Sequence, residues 1–141
     1  MDLFENGSLY HIAIAVKNLD SAEKIFKDCI GLKITHREEI QDQGVRATML
    51  QPESGEGTAI ELLEALDDDS PIAKFLNKRG EGIHHICFYV DDLEVKLNEL
   101  KNKGIKLIDE KPRVGAYETK VAFIHPSSMN GVLVELAEKP G

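Results

Sequence analysis

The sequence predicts an α+β fold built from two tandem β-α-β-β-β modules, and three observations point to it. First, a pattern occurs twice, 74 positions apart: His11-Ile12-Ala13-Ile14-Ala15-Val16 returns as His85-Ile86-Cys87-Phe88-Tyr89-Val90, and Ile60-Glu61-Leu62-Leu63 returns as Val134-Glu135-Leu136-Ala137. Leu19-Asp20 and Leu93-Glu94 keep the same offset. Second, strand-like alternation and helical stripes follow in the same order in each copy. Third, a sheet covered by one helix still has an open face, so the two sheets are expected to pair across a concave groove. The whole chain, 1–141, then forms one domain, with modules at about 8–66 and 83–138 and a helical linker between them.

Residues 8–16 alternate and are rich in Ile, Ala and Val, which predicts a strand. Period 2 puts His11, Ala13 and Ala15 on one face and Ile12, Ile14 and Val16 on the other. The small alanines suit the groove, and the bulky residues suit the helix. Asp20 or Ser21 can cap a helix running to about Cys29, with Ala22, Ile25, Phe26 and Cys29 as its stripe and Gly31 as its stop. Strands follow at 33–40, 45–50 and 58–63, separated by turns at 42–44 and 52–57. Asp67-Asp68-Asp69-Ser70-Pro71 marks the start of the linker helix, with Pro in the first turn and negative charge at the positive dipole end. In the second copy, 83–90 is a strand. Residues 93–103 form a helix with Leu93, Leu97 and Leu100 on one stripe, and 106–108, 120–124 and 132–137 are strands.

Composition narrows the function. Seventeen basic against twenty-five acidic residues leave a formal charge of −8, which argues against nucleic-acid or anionic-membrane partners. No apolar run nears the ~18 residues of a membrane span, and the acidic N-terminus lacks the pattern of a signal peptide. Cys29 and Cys87 form neither a C-x-x-C pair nor a disulfide framework, so a cytoplasmic protein with free thiols is expected. Nucleophile-elbow, P-loop and dinucleotide fingerprints are all lacking.

His11 and His85 occupy equivalent points of the two first strands, and Glu61 and Glu135 equivalent points of the two last strands. A carboxylate inside an apolar strand is costly unless paired. Two imidazoles and two carboxylates related by a duplication suggest one divalent-metal site, with Co²⁺ or Zn²⁺ first and Ni²⁺ or Mn²⁺ as alternatives. A metal can polarise a carbonyl, and carboxylates on opposite sides of the adjacent carbon can remove and return a proton. The remaining histidines read otherwise: His84 has the opposite parity to His85 and is expected to face the helix side, while His36 and His125 read as surface or turn residues. Cys87 shares the parity of His85 and reads as a buried, inert thiol.

The duplicated pattern with these His and Glu positions resembles the vicinal oxygen chelate superfamily, also called the glyoxalase fold. Within it, nearly the full chain looks like the methylmalonyl-CoA epimerase family. The stretches that carry this are His36-Arg37-Glu38-Glu39 with Gln43-Gly44-Val45, Ser70-Pro71-Ile72-Ala73-Lys74-Phe75-Leu76, Gly80-Glu81-Gly82-Ile83-His84-His85-Ile86, and Phe123-Ile124-His125-Pro126 followed by Gly131-Val132-Leu133-Val134-Glu135-Leu136. The resemblance implies His11, Glu61, His85 and Glu135 as metal ligands and Glu135 as a catalytic carboxylate. The reaction it implies is metal-dependent epimerisation of methylmalonyl-CoA at C2, by α-proton abstraction and an enolate intermediate, in a homodimer. Some members carry a second base on the third strand, where this chain has Ala47, so that task falls to Glu61 or to a water molecule. The segment Gly115-Ala116-Tyr117-Glu118-Thr119 is less glycine-rich than is usual there. Arg37, Arg46, Arg113 and Lys120 are candidates for contacts to the CoA phosphates. The same ligand set also fits lactoylglutathione lyase (glyoxalase I), and a non-catalytic ligand-binding protein of this fold is the third reading.

Overall fold

Hydrogen bonds repeat at the same 74-residue offset as the sequence pattern. The computed structural model describes residues 4–141. Its elements are β1 (Leu9–Ala15), α1 (Leu19–Ile25) running into a π-helical turn (Phe26–Ile30), β2 (Lys33–Ile40), β3 (Val45–Gln51), β4 (Ala59–Ala65), α2 (Pro71–Arg79), β5 (Gly82–Val90), α3 (Leu93–Asn102), β6 (Arg113–Val114), β7 (Lys120–Ile124) and β8 (Val134–Glu138). They divide into two compact units, one of residues His11–His84 and one of residues 4–10 with His85–Gly141. The first carries strands in the order β2-β3-β4-β1, with β1 parallel to β4 and the other pairs antiparallel. The second repeats this as β6-β7-β8-β5, with β5 parallel to β8.

Each module starts its helix the same way. Asn18 accepts from the Ser21 N–H at 2.9 Å and Asp92 from the Val95 N–H at 3.1 Å. Glu64 accepts from the Leu19 N–H at 2.7 Å, and Glu138 from the Leu93 N–H at 3.1 Å. Those N–H groups have no partner inside the helix, and a carboxylate also meets the positive end of the dipole. The carboxylates are braced by Arg46 (3.0 Å) and Lys120 (3.7 Å) respectively. These acceptors move the start of α1 to Leu19, with Asn18 rather than Asp20 or Ser21 as the cap.

The expected stripe of α1 is also rotated. Leu19, Ala22 and Phe26 pack with Val16, Leu50 and Leu62, whereas Ile25 is 58% exposed and Cys29 lies on the surface. The reason is Glu23, which is buried. Its two carboxylate oxygens accept from Arg37 at 2.9 Å each, and Thr48 donates to it at 2.6 Å. Positions 19, 22, 23 and 26 form one helical face, and satisfying Glu23 turns that face inward. The Arg37 hydrogen bonds hold the Glu23 carboxyl below its ordinary value of 4.5, with Thr48 adding to this and burial opposing it. A lowered carboxylate stabilises the fold above its unfolded pKa, and that stability is lost as pH falls through the folded pKa. Glu23→Gln should therefore cost about 1–3 kcal/mol at neutral pH and flatten the acid limb of a melting-temperature profile below pH 4.5.

The linker helix begins as expected, with Ser70 accepting from the Ala73 N–H and Pro71 in the first turn. Gly44 has φ +65°, and a Cβ there would lie 2.8 Å from the Ser70 Cβ, so the turn into β3 requires glycine. The alanines assigned to a groove are covered instead. Ala13, Ala15, Ala47 and Leu63 form a core with Ile72, Phe75 and Leu76 of α2. Small side chains on β1 let α2 approach that face closely. In the second unit, Leu93, Leu97 and Leu100 pack on Ile86, Phe88, Ala122, Ile124 and Leu136 as the stripe predicts. Residues 106–108 form no strand. A single bridge joins Leu107 to Ile124, and the edge strand is the shorter β6.

Candidate active site

Strand register places the four predicted side chains in two matching settings. Glu61 lies beside Ala13 of β1 and Met49 of β3. Glu135 lies beside Cys87 of β5 and Phe123 of β7. A small residue therefore flanks each carboxylate on one side and a large apolar residue on the other. In the first unit His11 Nε2 is 3.4 Å from Glu61 Oε1, with both side chains 5% exposed. In the second, His85 Nε2 is 3.1 Å from Glu135 Oε1, with the side chains 5% and 9% exposed. The edge of the Phe123 ring meets the His85 imidazole, centroids 5.3 Å apart.

These donors fit a divalent ion. Bonds of about 2.0–2.2 Å from a metal to imidazole nitrogen and carboxylate oxygen put neighbouring ligand atoms roughly 3.0–3.5 Å apart. Both pairs have that spacing, and both present a nitrogen and an oxygen from deep inside an apolar strand. Burying a carboxylate costs several kcal/mol unless a positive charge or a set of donors compensates, and a cation does so directly.

His84 and His125 make contacts of their own, and Cys87 packs in an apolar cluster. His84 packs edge-on against Phe75 of α2 at 5.0 Å, so it meets the linker helix, while Ile86 and Phe88 pack with the α3 core. His125 Nδ1 accepts from the Ser127 N–H and caps a turn. Cys87 is buried among Tyr89, Val121, Ala137 and Tyr10. Sequence reasoning passed over Tyr89, which shares the parity of His85. Its ring stacks on Tyr10 with centroids 4.5 Å apart, and burial, with a smaller push from Cys87, raises its phenol to about 12. It stays neutral at physiological pH.

The turn between β6 and β7 is strained. Tyr117 and Glu118 have φ of +61° and +56°, a region that costs an L residue about 1 kcal/mol or more. Gly115 packs so tightly that a Cβ there would lie 2.6 Å from Val121. Glu118→Gly should raise stability by about 0.5–1 kcal/mol, whereas Gly115→Ala should lower it by about 1–3 kcal/mol, both readable by urea denaturation.

Residues 10–123 match the family model described as the Glyoxalase/Bleomycin resistance protein/Dioxygenase superfamily. The chain belongs to this superfamily. A methylmalonyl-CoA epimerase of Dictyostelium discoideum is 41% identical over 94% of this chain and 79% of its own length. The crystal structure of methylmalonyl-CoA epimerase from Mycobacterium tuberculosis is 39% identical, with a TM-score of 0.89 over 96% of this chain and 89% of that one. A Streptomyces coelicolor methylmalonyl-CoA epimerase variant in complex with 2-nitronate-propionyl-CoA is 32% identical, also with a TM-score of 0.89, over 97% of both chains. The fold is therefore the glyoxalase fold, as the resemblance implies, and the chain is an enzyme of the isomerase class.

Proposed function

We propose that this glyoxalase-fold enzyme epimerises methylmalonyl-CoA at C2, using one divalent metal ion with His11, Glu61, His85 and Glu135 as its ligands. The observation that carries the reading is the buried His–Glu pair, built twice at equivalent strand positions, in a chain that matches epimerases along nearly its whole length. When bound, a Co²⁺, Zn²⁺, Ni²⁺ or Mn²⁺ ion would supply Lewis acidity toward carbonyl oxygen.

The chain's own residues supply the rest. The Glu135 carboxylate takes the C2 proton, which breaks the C–H bond and leaves its electron pair in a planar enolate. A proton returns to C2 from the opposite face, delivered by Glu61 or by a water molecule, and the two sides exchange roles in the reverse direction. Ala47 offers no acid or base, so the second group is Glu61 or a water molecule. The apolar neighbours Met49 and Phe123 keep both carboxylates away from bulk water, which strengthens their interaction with the reacting charge. The nitronate held by the Streptomyces coelicolor relative supports the enolate, because a nitronate also carries its negative charge on a planar group.

A single C2 epimer incubated with metal-loaded enzyme should relax to the equilibrium mixture of the two C2 epimers, read as a change in circular dichroism, and an unchanged signal would sink the proposal. Glyoxalase I and a non-catalytic binding role are less well supported, since several relatives that match 94% of this chain carry the epimerase name. We further read the enzyme as a cytoplasmic homodimer. Among the described residues no helix is long and apolar enough to cross a membrane. Sedimentation at micromolar concentration should give about twice the chain mass, and a monomer would contradict the dimer.

A further inference from the structure

The candidate cations differ in the sheet face they occupy. Arg37 binds Glu23 of α1, and Arg46 and Lys120 brace the carboxylates that hold the starts of α1 and α3. These three lie on the helix-covered faces. Arg113 lies on the other face of its sheet. It is the ladder partner of Val121, which pairs with Ala137, and Phe123 pairs with Glu135. Ladder partners and residues two apart share a face, so Arg113, Phe123 and Glu135 face the same way.

The contacts of Arg113 agree with this placement. Its guanidinium carbon sits over the Phe123 ring, 5.4 Å from the centroid, and the edge of that ring meets His85. Asp109 holds Arg113 Nε at 3.5 Å and also accepts from the Phe123 N–H at 2.8 Å. One carboxylate and one aromatic face thus fix the guanidinium, while its two terminal nitrogens remain available to a ligand. A planar, pre-positioned donor fork of this kind suits an oxyanion.

Resting on the reading of this chain as an acyl-CoA epimerase, we propose that Arg113 recognises an oxyanion of the bound thioester, either the acyl carboxylate or a nucleotide phosphate. It does so from the face that carries the His85–Glu135 pair. Arg113 is a binding residue in this account and moves no proton.

The test uses Arg113→Met, which keeps an apolar stem over Phe123 without the charge, and Arg113→Lys, which keeps a charge. Dissociation constants are measured by calorimetry for methylmalonyl-CoA, for propionyl-CoA and for propionyl-pantetheine, together with KM, kcat and melting temperature. Arg113→Met should weaken methylmalonyl-CoA roughly ten- to a hundredfold through KM, leave kcat within a few-fold, and be partly rescued by Arg113→Lys. A loss confined to methylmalonyl-CoA assigns the acyl carboxylate. A loss shared by both CoA esters but not by propionyl-pantetheine assigns the phosphates. Unchanged binding of all three in a folded variant overturns the proposal and leaves the epimerase reading intact. Wild-type enzyme that binds no acyl-CoA overturns both.

Discussion

Glu135→Gln is expected to abolish epimerisation, with kcat falling by about 10²–10⁴-fold. The substitution keeps the shape and one oxygen beside His85 Nε2, 3.1 Å away in the native protein, but removes the base. Loss of this base stops proton removal from the epimer it faces, and because the amide oxygen can still meet the ion, affinity for acyl-CoA should change little. Its counterpart Glu61→Gln separates two events. With Glu135 intact, the C2 proton can still leave and return on one face, so isotope exchange should persist while epimerisation slows. Parallel loss of exchange and epimerisation in Glu61→Gln would show that Glu61 serves the ion rather than the proton.

Metal removal should have the second large effect, and stability reports it as well as activity. An ion present at about a hundred times its dissociation constant stabilises the native state by about 2.7 kcal/mol, or roughly 5–10 °C in melting temperature for a chain of this size. His85→Ala and His11→Ala should each erase most of that shift and most of the activity, because each takes one nitrogen from the donor set. The two histidines lie in different units, so the two losses test whether the duplicated pairs act on one ion. A full shift retained in either variant would mean that its pair is not needed to hold the ion.

Much of this molecule is legible in the sequence because the duplication writes each structural decision twice. His11 with His85 and Glu61 with Glu135 are visible as an offset, and each pair does meet within its own unit. Asn18 with Asp92, Glu64 with Glu138 and Arg46 with Lys120 carry the same offset, yet their meaning emerges only from the hydrogen bonds at the helix starts. What sequence periodicity hides is competition between polar and apolar burial. Glu23 takes an inward position that Ile25 was expected to hold, because Arg37 and Thr48 satisfy it from strands β2 and β3. Ala13 and Ala15 read as groove residues because smallness alone does not say whether a ligand or a helix approaches, and here α2 does. The edge strand moved from 106–108 to Arg113–Val114 for a similar reason. Leu107 keeps only a single bridge to Ile124, while a hydrogen bond from the Gly115 N–H to the Thr119 carbonyl closes the turn that lays Arg113–Val114 against β7.

The central claim is metal-dependent proton transfer at C2, and proton NMR of methylmalonyl-CoA in D₂O with Co²⁺- or Zn²⁺-reconstituted enzyme tests it most directly. Fast loss of the C2 proton, with collapse of the methyl doublet and arrest by chelator, is the predicted result. A C2 proton that stays at the uncatalysed rate in metal-replete protein would contradict the account.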